Sequence, residues 1–375
     1  MKIAVNTRFL LKDKLEGIGW FTHEIFKRMV LNHPEDEFIF IFDRPFDERF
    51  IFSDNVTPII VSPPARHPIL WKIWFDFSIP KILKKHNPDI FISTDGFASL
   101  RTNVPQITTI HDLAFEHYPE HLPFKFRYYL RKFTPKFAHI VKKIVTVSAF
   151  SKKDLQDQYK IPAEKISVIY NGAHAEYKPL SAETIQAIRK EYASGKPYFV
   201  FAGALHPRKN IEKLLEAFAV FKKETKSDMQ LLLVGRFAWK SDGIKNAMSQ
   251  HPYRDDIHNY DYMNVDKLSK IIGSAYALTF VSLFEGFGIP ILEAIRCGVP
   301  SITANKTSMP EVAGETGILV SPESTVEIAD AMKLLVTNPA LRQRLIDNCE
   351  DQGRKFSWEQ SAEEFYQLIK KEIST

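Results

Sequence analysis

The chain has 375 residues, of which 45% are apolar and 25% are charged, and its formal net charge is +5 at neutral pH. A single hydrophobic core rarely grows to this length, so we expect two domains, and the balanced composition excludes disordered and fibrous proteins. The charge is too small to indicate a nucleic-acid-binding protein by itself, because such binding needs clustered cations.

Three sequence features bear on the cellular compartment: apolar runs long enough to span a membrane, a signal peptide, and the spacing of cysteines. No run approaches the roughly 18 consecutive apolar residues that a bilayer span requires, and the apolar start at residues 3–5 is too short for a signal peptide. The two cysteines, Cys297 and Cys349, lie far apart and form no metal-ligand pattern. We therefore expect a cytoplasmic protein with reduced cysteines and no structural metal.

Short apolar runs alternate with longer amphipathic stretches, which predicts βαβ units and parallel sheets. Strands are predicted at residues 2–7, 37–42, 57–61, 88–93, 106–111, 143–148 and 166–170, and helices at about 18–31, 69–85, 124–141 and 149–159. After a turn at Asn171-Gly172 and a short helix near 182–192, the alternation restarts at Gly195. The domain boundary is therefore placed between residues 172 and 196.

The second half repeats the alternation. Strands are predicted at residues 198–202, 229–234, 276–281 and 300–304, and helices near 211–225, 264–272, 290–296 and 326–337. A long terminal helix follows residue 356, with aromatic side chains on one face. From the sequence pattern alone, this helix could pack anywhere.

The strongest local motif follows the predicted strand that ends near residue 281. Gly286 and Gly288 let the backbone turn sharply and approach a ligand, and Pro290 suits a first helical turn. Glu285 and Glu293 could then accept hydrogen bonds from two hydroxyl-bearing groups, such as a ribose and a sugar. The alternative is that both carboxylates are exposed and the glycines only turn the chain.

A second motif, at residues 203–210, lies between a predicted strand and a predicted helix. Asn210 is a candidate N-cap, and Arg208 and Lys209 would then lie beside a helix N-terminus at the carboxyl end of a strand. Such a pair can hold a diphosphate and neutralise the charge that develops on a leaving phosphate. The alternative is a solvated basic loop.

The first half carries weaker signals. Gly17 and Gly19 open a predicted helix and can admit a phosphate or an acceptor, but a plain turn explains them as well, and the missing third glycine argues against NAD. His111 closes a predicted strand, where it can hydrogen-bond a sugar hydroxyl or serve only in packing. Residues 124–143 interleave aromatic and basic residues without any acidic one. This segment could meet an anionic bilayer or a phosphorylated lipid acceptor, or it could be an ordinary amphipathic helix.

Taken together, these motifs resemble the retaining glycosyltransferases of family 4 over essentially the whole chain. The resemblance is carried by Gly17-Ile18-Gly19 and by residues 109–113, 146–151, 170–172, 207–210, 285–293 and 309–314. It implies an α/β fold of the GT-B type, in which two Rossmann-like domains face each other across a cleft. The implied domains are an acceptor-side domain at 1–175 and a donor domain at 176–356, with the helix at 357–375 packing back on the first.

The resemblance also implies roles for single residues. Glu293 would bind the donor ribose, Arg208 and Lys209 the diphosphate, and His111 the sugar from the opposite domain. Glu285 would bind the donor sugar together with the backbone of Gly286, Phe287, Gly288 and Ile289. No metal or other cofactor is implied, because the two cations replace a divalent ion, and the leaving phosphate itself can take the acceptor proton.

The expected reaction is transfer of a hexosyl group in glycan biosynthesis, with GDP-mannose favoured over UDP-linked donors. The expected acceptor is a saccharide or a lipid-linked saccharide, which would place the protein in the cytoplasm, peripherally on the inner face of the membrane, with contact through residues 124–143. No nucleic-acid partner is expected. Two alternatives stay open, a nucleotide-sugar 2-epimerase of the same architecture and a non-catalytic nucleotide-sugar-binding protein.

Overall fold

The computed structural model describes residues 1–12 and 15–374. The chain divides into two compact units, one comprising Met1–Asn171 with Ser357–Thr375 and the other Gly172–Phe356. Each unit is built on one parallel sheet and its own helices. In the described part of the chain, no helix is long and apolar enough to cross a membrane.

The first unit contains β1 (Lys2–Asn6), β2 (Glu37–Phe42), β3 (Val56–Ile60), β4 (Ile90–Ser93), β5 (Gln106–Thr109), β6 (Lys143–Thr146) and β7 (Ile166–Val168). Across its described residues, these strands form a seven-stranded sheet in the order β3-β2-β1-β4-β5-β6-β7. Val5 pairs in register with Phe40 on one side and Ile92 on the other. The strand order therefore reverses beside β1, and ligands of open α/β sheets collect at the carboxyl ends of the strands at such a point.

The helices of the first unit are α1 (Gly17–Asn32), α2 (Pro68–Ile73), α3 (Ile79–His86), α4 (Ala114–His117), α5 (Phe124–Ile140) and α6 (Ala149–Tyr159), with a π-helical segment at Trp74–Ser78 between α2 and α3. Short 3-10 turns lie at Glu48–Phe50, Pro119–His121 and Ala163–Lys165. The helix predicted at 69–85 is therefore one continuous path that includes a wider π turn. The strands read as nearly unbroken apolar runs because helices cover the sheet.

The second unit contains β8 (Tyr198–Ala202), β9 (Gln230–Val234), β10 (Ile257–Tyr260), β11 (Ala277–Phe280), β12 (Ser301–Ala304) and β13 (Gly317–Val320), in the sheet order β10-β9-β8-β11-β12-β13. Its helices are α7 (Ala182–Ala193), α8 (Ile211–Thr225), α9 (Asp242–Ser249), α10 (Val265–Gly273), α11 (Ile289–Arg296), α12 (Met309–Ala313), α13 (Thr325–Thr337), α14 (Pro339–Asp347) and α15 (Cys349–Arg354). The 3-10 turns of this unit lie at Pro207–Lys209, Arg254–Asp256 and Gly314–Thr316.

The last helix, α16 (Trp358–Ser374), belongs to the first unit. Its Tyr366 hydroxyl donates to Asp36 at 2.9 Å, and its Ser361 hydroxyl donates to the Tyr170 carbonyl at 2.7 Å. The Phe365 ring packs against the rings of Phe21 and Phe26 on α1. Aromatic burial and specific hydrogen bonds thus hold the C-terminal helix on the first sheet's helical layer.

Candidate active site

Three loops at the carboxyl edge of the second sheet bring the predicted donor-site residues together. They follow β8, β11 and β12, which are parallel neighbours in that sheet. The Lys209 Nζ atom lies 2.6 Å from Glu285 Oε1, and Arg208 Nη1 lies 3.2 Å from Glu285 Oε2. Arg208 also donates to the Phe284 carbonyl. Two cations from the first loop therefore enclose one carboxylate from the second.

The charges in this cluster are held in a largely buried environment. Burial alone would raise the pKa of Glu285, but the charges of Lys209 and Arg208 and the hydrogen bond from Lys209 lower the pKa of this carboxyl to about 2. The Lys209 ammonium also lies 5.0 Å from the centre of the Phe280 ring. Because Glu285 stays ionised at any ordinary pH, the cluster keeps a net charge of one positive unit, which favours an anionic ligand.

Side chains of the third loop hold the glycine-containing loop in place. The fully buried Ser308 hydroxyl donates to the Glu285 and Phe287 carbonyls, each at 2.9 Å, and the Thr307 hydroxyl accepts from the Glu285 amide at 3.3 Å. Sequence analysis missed both residues, because a serine and a threonine in a loop carry no distinctive signal before the strand order is known.

Replacement of Ser308 by alanine is expected to destabilise the protein by about 1–3 kcal/mol, because two buried carbonyls lose their donor. Turnover should also fall, because the loop that carries Glu285 loses its anchor. Chemical denaturation and initial rates measure the two effects. Replacement of Ser324 by alanine, at an exposed helix start, is the control for loss of a serine hydroxyl and should leave turnover unchanged.

The Asn210 side chain has a different role from the predicted N-cap. It makes no capping hydrogen bond to α8; instead it donates to the Val281 carbonyl at 3.0 Å and to the Pro322 carbonyl at 2.7 Å. Asn210 occupies the predicted N-cap position of α8, but its side chain does not cap the helix, because tertiary contacts offer the amide two acceptors on other loops. Asn210 thereby fixes the loop that carries Arg208 and Lys209 to the loop after β11.

Gly288 explains the turn into α11. Its φ of +101° lies in the left-handed region, and an added Cβ would come within 3.1 Å of Ile291 Cδ1. No side chain caps the start of α11, where Pro290 occupies the first turn as predicted. Gly286 and Phe287 lie in the same loop, and Ile289 is the first residue of the helix. The loop thus places backbone rather than side chains at the helix start.

Glu293 lies on α11, and its carboxyl group is hydrogen-bonded to Tyr177. Burial raises the pKa of Glu293 to about 7, although the Tyr177 hydroxyl acts in the opposite direction. The pKa of the buried Tyr177 is raised by burial and by the neighbouring Glu293 charge. Glu293 can therefore change its protonation state near neutral pH. Sequence analysis missed Tyr177, which lies between the predicted turn at 171–172 and the short helix predicted near 182–192.

His111 occupies the carboxyl edge of the first sheet. Its Nε2 atom lies 2.8 Å from the Thr94 carbonyl oxygen, which can only accept, so Nε2 carries the proton. Burial lowers the pKa of His111, and the Phe21 ring meets the imidazole edge-on at 5.1 Å. The side chain is therefore a neutral imidazole whose Nδ1 can accept a hydrogen bond from a hydroxyl.

The two glycines at the start of α1 have different surroundings. An added Cβ at Gly19 would lie 2.7 Å from the Phe9 carbonyl oxygen, so close packing of the chain accounts for this glycine. Gly17 is exposed and has no neighbour within 4 Å of such a Cβ. The Glu16 side chain does not cap the helix. Of the two positions, Gly17 is the one whose backbone is open to a ligand.

The described ranges, 1–12 and 15–374, contain no group of three or more histidine, cysteine, aspartate or glutamate residues that could hold a metal ion. Both cysteines are unpaired and buried. Burial raises the pKa of each thiol to about 12.

Comparison with known proteins places the chain in a family. The model described as Glycosyltransferase Family 4 matches residues 18–177, and that described as Glycosyl transferases group 1 matches residues 184–352. The chain is 30% identical to the O-antigen chain mannosyltransferase B of Escherichia coli, over 96% of this chain and 97% of that protein. The chain belongs to glycosyltransferase family 4. This confirms the predicted family and shows that the protein is a glycosyltransferase enzyme.

Solved structures confirm the predicted fold of this family-4 glycosyltransferase. A sucrose-phosphate synthase from Thermosynechococcus elongatus matches with a TM-score of 0.81 at 17% identity, over 100% of this chain and 99% of that one. Anabaena HepE, solved in complex with UDP and glucose, matches with a TM-score of 0.76 at 16% identity, over 99% of each chain. The enzyme therefore has the α/β fold of the GT-B type, with two Rossmann-like domains.

Proposed function

We propose that this family-4 glycosyltransferase moves a mannosyl group from GDP-mannose, with retention of the anomeric configuration, to a saccharide or lipid-linked saccharide. The observation that carries the proposal is the enclosure of Glu285 by Arg208 and Lys209 at the carboxyl edge of the second sheet. Two cations around one carboxylate suit a ligand that brings both a diphosphate and sugar hydroxyls.

In this proposal, each side chain binds the part of the donor that its chemistry favours. Arg208 and Lys209 hold the diphosphate, and Glu285 accepts hydrogen bonds from the sugar together with the backbone of residues 286–289. Glu293 accepts from the ribose hydroxyls when it is ionised. On the acceptor side, His111 accepts a hydrogen bond from a sugar hydroxyl through Nδ1, and the exposed Gly17 allows close approach of the acceptor. The predicted domains at 1–175 and 176–356 would then bind the acceptor and the donor, respectively.

The proposed transfer requires no separate protein base. The acceptor oxygen forms a bond to the anomeric carbon on the face from which the diphosphate oxygen departs, and the acceptor proton passes to that oxygen. Arg208 and Lys209 stabilise the negative charge that develops on the diphosphate, which is the step where preorganised cations lower the barrier most. Glu285 orients the sugar and keeps the two cations in place before the donor arrives.

The choice of GDP-mannose is supported by the relative from Escherichia coli, whose name describes an O-antigen chain mannosyltransferase. The rival choice is a UDP-linked donor, because the Anabaena HepE structure contains UDP and glucose. The sequence similarity favours mannose, since the Escherichia coli protein is matched over nearly its whole length, whereas the likeness to HepE is one of fold.

The acceptor that we favour is a lipid-linked saccharide of a surface polysaccharide such as O-antigen. Helix α5 supports this choice in part: Tyr129 and Phe137 face the core, as in an ordinary amphipathic helix, but Phe124 and Tyr128 are exposed among lysines and arginines. We propose that residues 124–143 contact the membrane on its cytoplasmic face.

Transfer assays with radiolabelled GDP-mannose, UDP-glucose and UDP-N-acetylglucosamine, using extracted lipid-linked saccharides as acceptors, test this proposal. We expect label from GDP-mannose alone to enter the lipid fraction and to be released by an α-mannosidase. Incorporation of label from a UDP-linked donor into the lipid fraction would contradict the assignment of GDP-mannose as the donor. Release by a β-mannosidase would contradict retention.

The two alternatives give different results in the same assay. A 2-epimerase converts UDP-N-acetylglucosamine to its 2-epimer without any acceptor, which nuclear magnetic resonance of the nucleotide-sugar detects. A non-catalytic protein binds a nucleotide-sugar but leaves every donor intact in the presence of all acceptors tested. A non-catalytic protein is not expected, because Arg208, Lys209, Glu285 and Glu293 are all present and the first three are assembled. A 2-epimerase is not expected, because the chain is 30% identical to a mannosyltransferase over 96% of its length.

A further inference from the structure

The first unit carries a row of exposed apolar side chains that the proposed active site does not use. Ile69, Ile73 and Phe77 follow one another at intervals of four residues along α2 and the π-helical segment, with exposed fractions of 69%, 38% and 44%. This spacing places them on one side of the helical path. Their exposure contrasts with Trp74 and Phe75 of the same path, which are buried in the core.

Helix α2, which carries Ile69 and Ile73, lies beside the basic helix α5. The Trp71 ring packs edge-on against Phe126 at 5.2 Å and Tyr129 at 5.3 Å, which joins α2 to α5. The Lys72 ammonium lies 5.2 Å from the centre of the Phe133 ring on α5. We define the α2–α5 face as a set of exposed side chains on α2, the π-helical segment and α5, namely Ile69, Lys72, Ile73, Phe77, Phe124, Tyr128, Lys132 and Lys136.

Charge is concentrated on the same two segments. Residues 64–86 contain five lysines and arginines and a single acidic residue, Asp76, which is buried and paired with Lys72. Residues 124–143 contain seven lysines and arginines and no acidic residue. These segments therefore carry a net charge of +11, whereas the whole chain carries +5, so the remainder of the chain has a net charge of −6.

We infer that the α2–α5 face docks on an anionic phospholipid bilayer, with Ile69, Ile73, Phe77, Phe124 and Tyr128 entering the interface and the lysines contacting lipid phosphates. The face presents apolar side chains among cations and no exposed carboxylate. This pattern matches an anionic bilayer, which has negatively charged headgroups over an apolar interior. A cavity of 660 Å³ beside α5 is lined by Arg127, Arg131 and Lys132 and also by Glu116, which pairs with Arg131 at 2.7 Å; a lipid phosphate there would meet Arg127 and Lys132. The inference rests on the proposed membrane contact of residues 124–143. It adds α2 as a second contacting helix and anionic phospholipid as the lipid class.

Sedimentation with vesicles tests this inference without any turnover. We expect the enzyme to bind vesicles of equimolar phosphatidylglycerol and phosphatidylcholine and not vesicles of phosphatidylcholine alone. The double variant Ile69→Ser/Ile73→Ser should weaken binding at least about tenfold, because two apolar side chains no longer enter the interface. The double variant Lys132→Glu/Lys136→Glu should weaken it about 30-fold or more, because each lysine contributes to attraction by the anionic surface.

Matched controls separate docking from general effects. Val326→Ser/Leu334→Ser removes two exposed apolar side chains from a helix of the second unit, and Lys190→Glu/Lys223→Glu reverses two exposed lysines there. Both should bind vesicles like the wild type. The inference would be overturned if the controls lost vesicle binding as much as the α2–α5 variants, or if both α2–α5 variants bound like the wild type. Equal binding of the wild type to neutral and anionic vesicles would also overturn it. Light scattering that shows self-association through the face instead would also overturn it.

The donor assay distinguishes this inference from the proposed function. All four variants keep Arg208, Lys209, Glu285 and Glu293, so we expect normal affinity for GDP-mannose in each. Loss of vesicle binding with normal donor affinity supports the docking face. Failure of the wild type to bind any donor would contradict the proposed function while leaving the vesicle result intact.

Discussion

Replacement of Lys209 by alanine is expected to lower turnover at least about 100-fold, the usual consequence of removing one preorganised group that stabilises developing charge. The Lys209 ammonium lies 2.6 Å from Glu285 and is mostly buried, so it acts in a medium that screens charge poorly. The fold should survive, because Glu285 keeps its ion pair with Arg208 at 3.2 Å. Initial rates at saturating donor and circular dichroism measure the two expectations.

A matched control for this variant is Lys213→Ala. Lys213 lies on α8, only four residues further along, and its contact with Glu216 is a more exposed pair. Its loss should change turnover less than twofold, since exposed pairs contribute little. Near-normal turnover of Lys209→Ala would contradict the phosphate role, whereas a large loss in both variants would indicate a general disturbance of α8.

Replacement of Glu293 by glutamine is expected to stabilise the protein above pH 7 and to weaken donor binding. The folded pKa is about 7 against an ordinary value of 4.5, so the folded protein retains this proton to a higher pH than the unfolded chain does. The free energy of unfolding therefore falls as pH rises from about 4.5 to 7, by about 3 kcal/mol in all. Glutamine does not ionise, so the variant avoids this loss of stability, and its amide oxygen can still accept from the Tyr177 hydroxyl.

The donor affinity of the same variant should change in the opposite sense to its stability. An ionised carboxylate accepts ribose hydroxyls more strongly than an amide does, so Glu293→Gln should bind GDP-mannose about 10- to 100-fold more weakly at pH 8. Below pH 6 the difference should shrink, because wild-type Glu293 is then protonated. Thermal unfolding and calorimetric titration at pH 5 and pH 8 measure both trends. Wild-type stability that does not fall between these pH values would contradict the raised pKa.

In the second sheet, sequence patterns predicted the central strands but not the two edges, whereas in the first sheet the edge strands β3 and β7 were also predicted. β1, β8 and β11 are apolar runs covered on both faces, so composition alone marks them as strands. The sequence analysis did not predict β10 or β13. β10 reads Ile-His-Asn-Tyr and is partly exposed, and β13 begins with a glycine; both lie at sheet edges, where burial does not impose an apolar run.

The candidate site was predictable where its parts are adjacent in sequence. Arg208-Lys209 and the loop from Glu285 to Gly288 each stand out locally, and the expectation that strand ends collect ligands brings them to one edge. Their direct ion pairs could not be foreseen, because 76 residues separate Lys209 from Glu285. The same holds for His111, whose protonated nitrogen is set by the carbonyl of Thr94, on the loop of another strand.

Calorimetric titration of GDP-mannose, UDP-glucose, UDP-N-acetylglucosamine and NAD, each without added metal, tests the central claim most directly. The account predicts that GDP-mannose binds and that Arg208→Ala abolishes this binding, because the diphosphate then loses a cation beside Glu285. Binding of NAD alone, binding of none of the four, or full retention of GDP-mannose affinity in Arg208→Ala would contradict it.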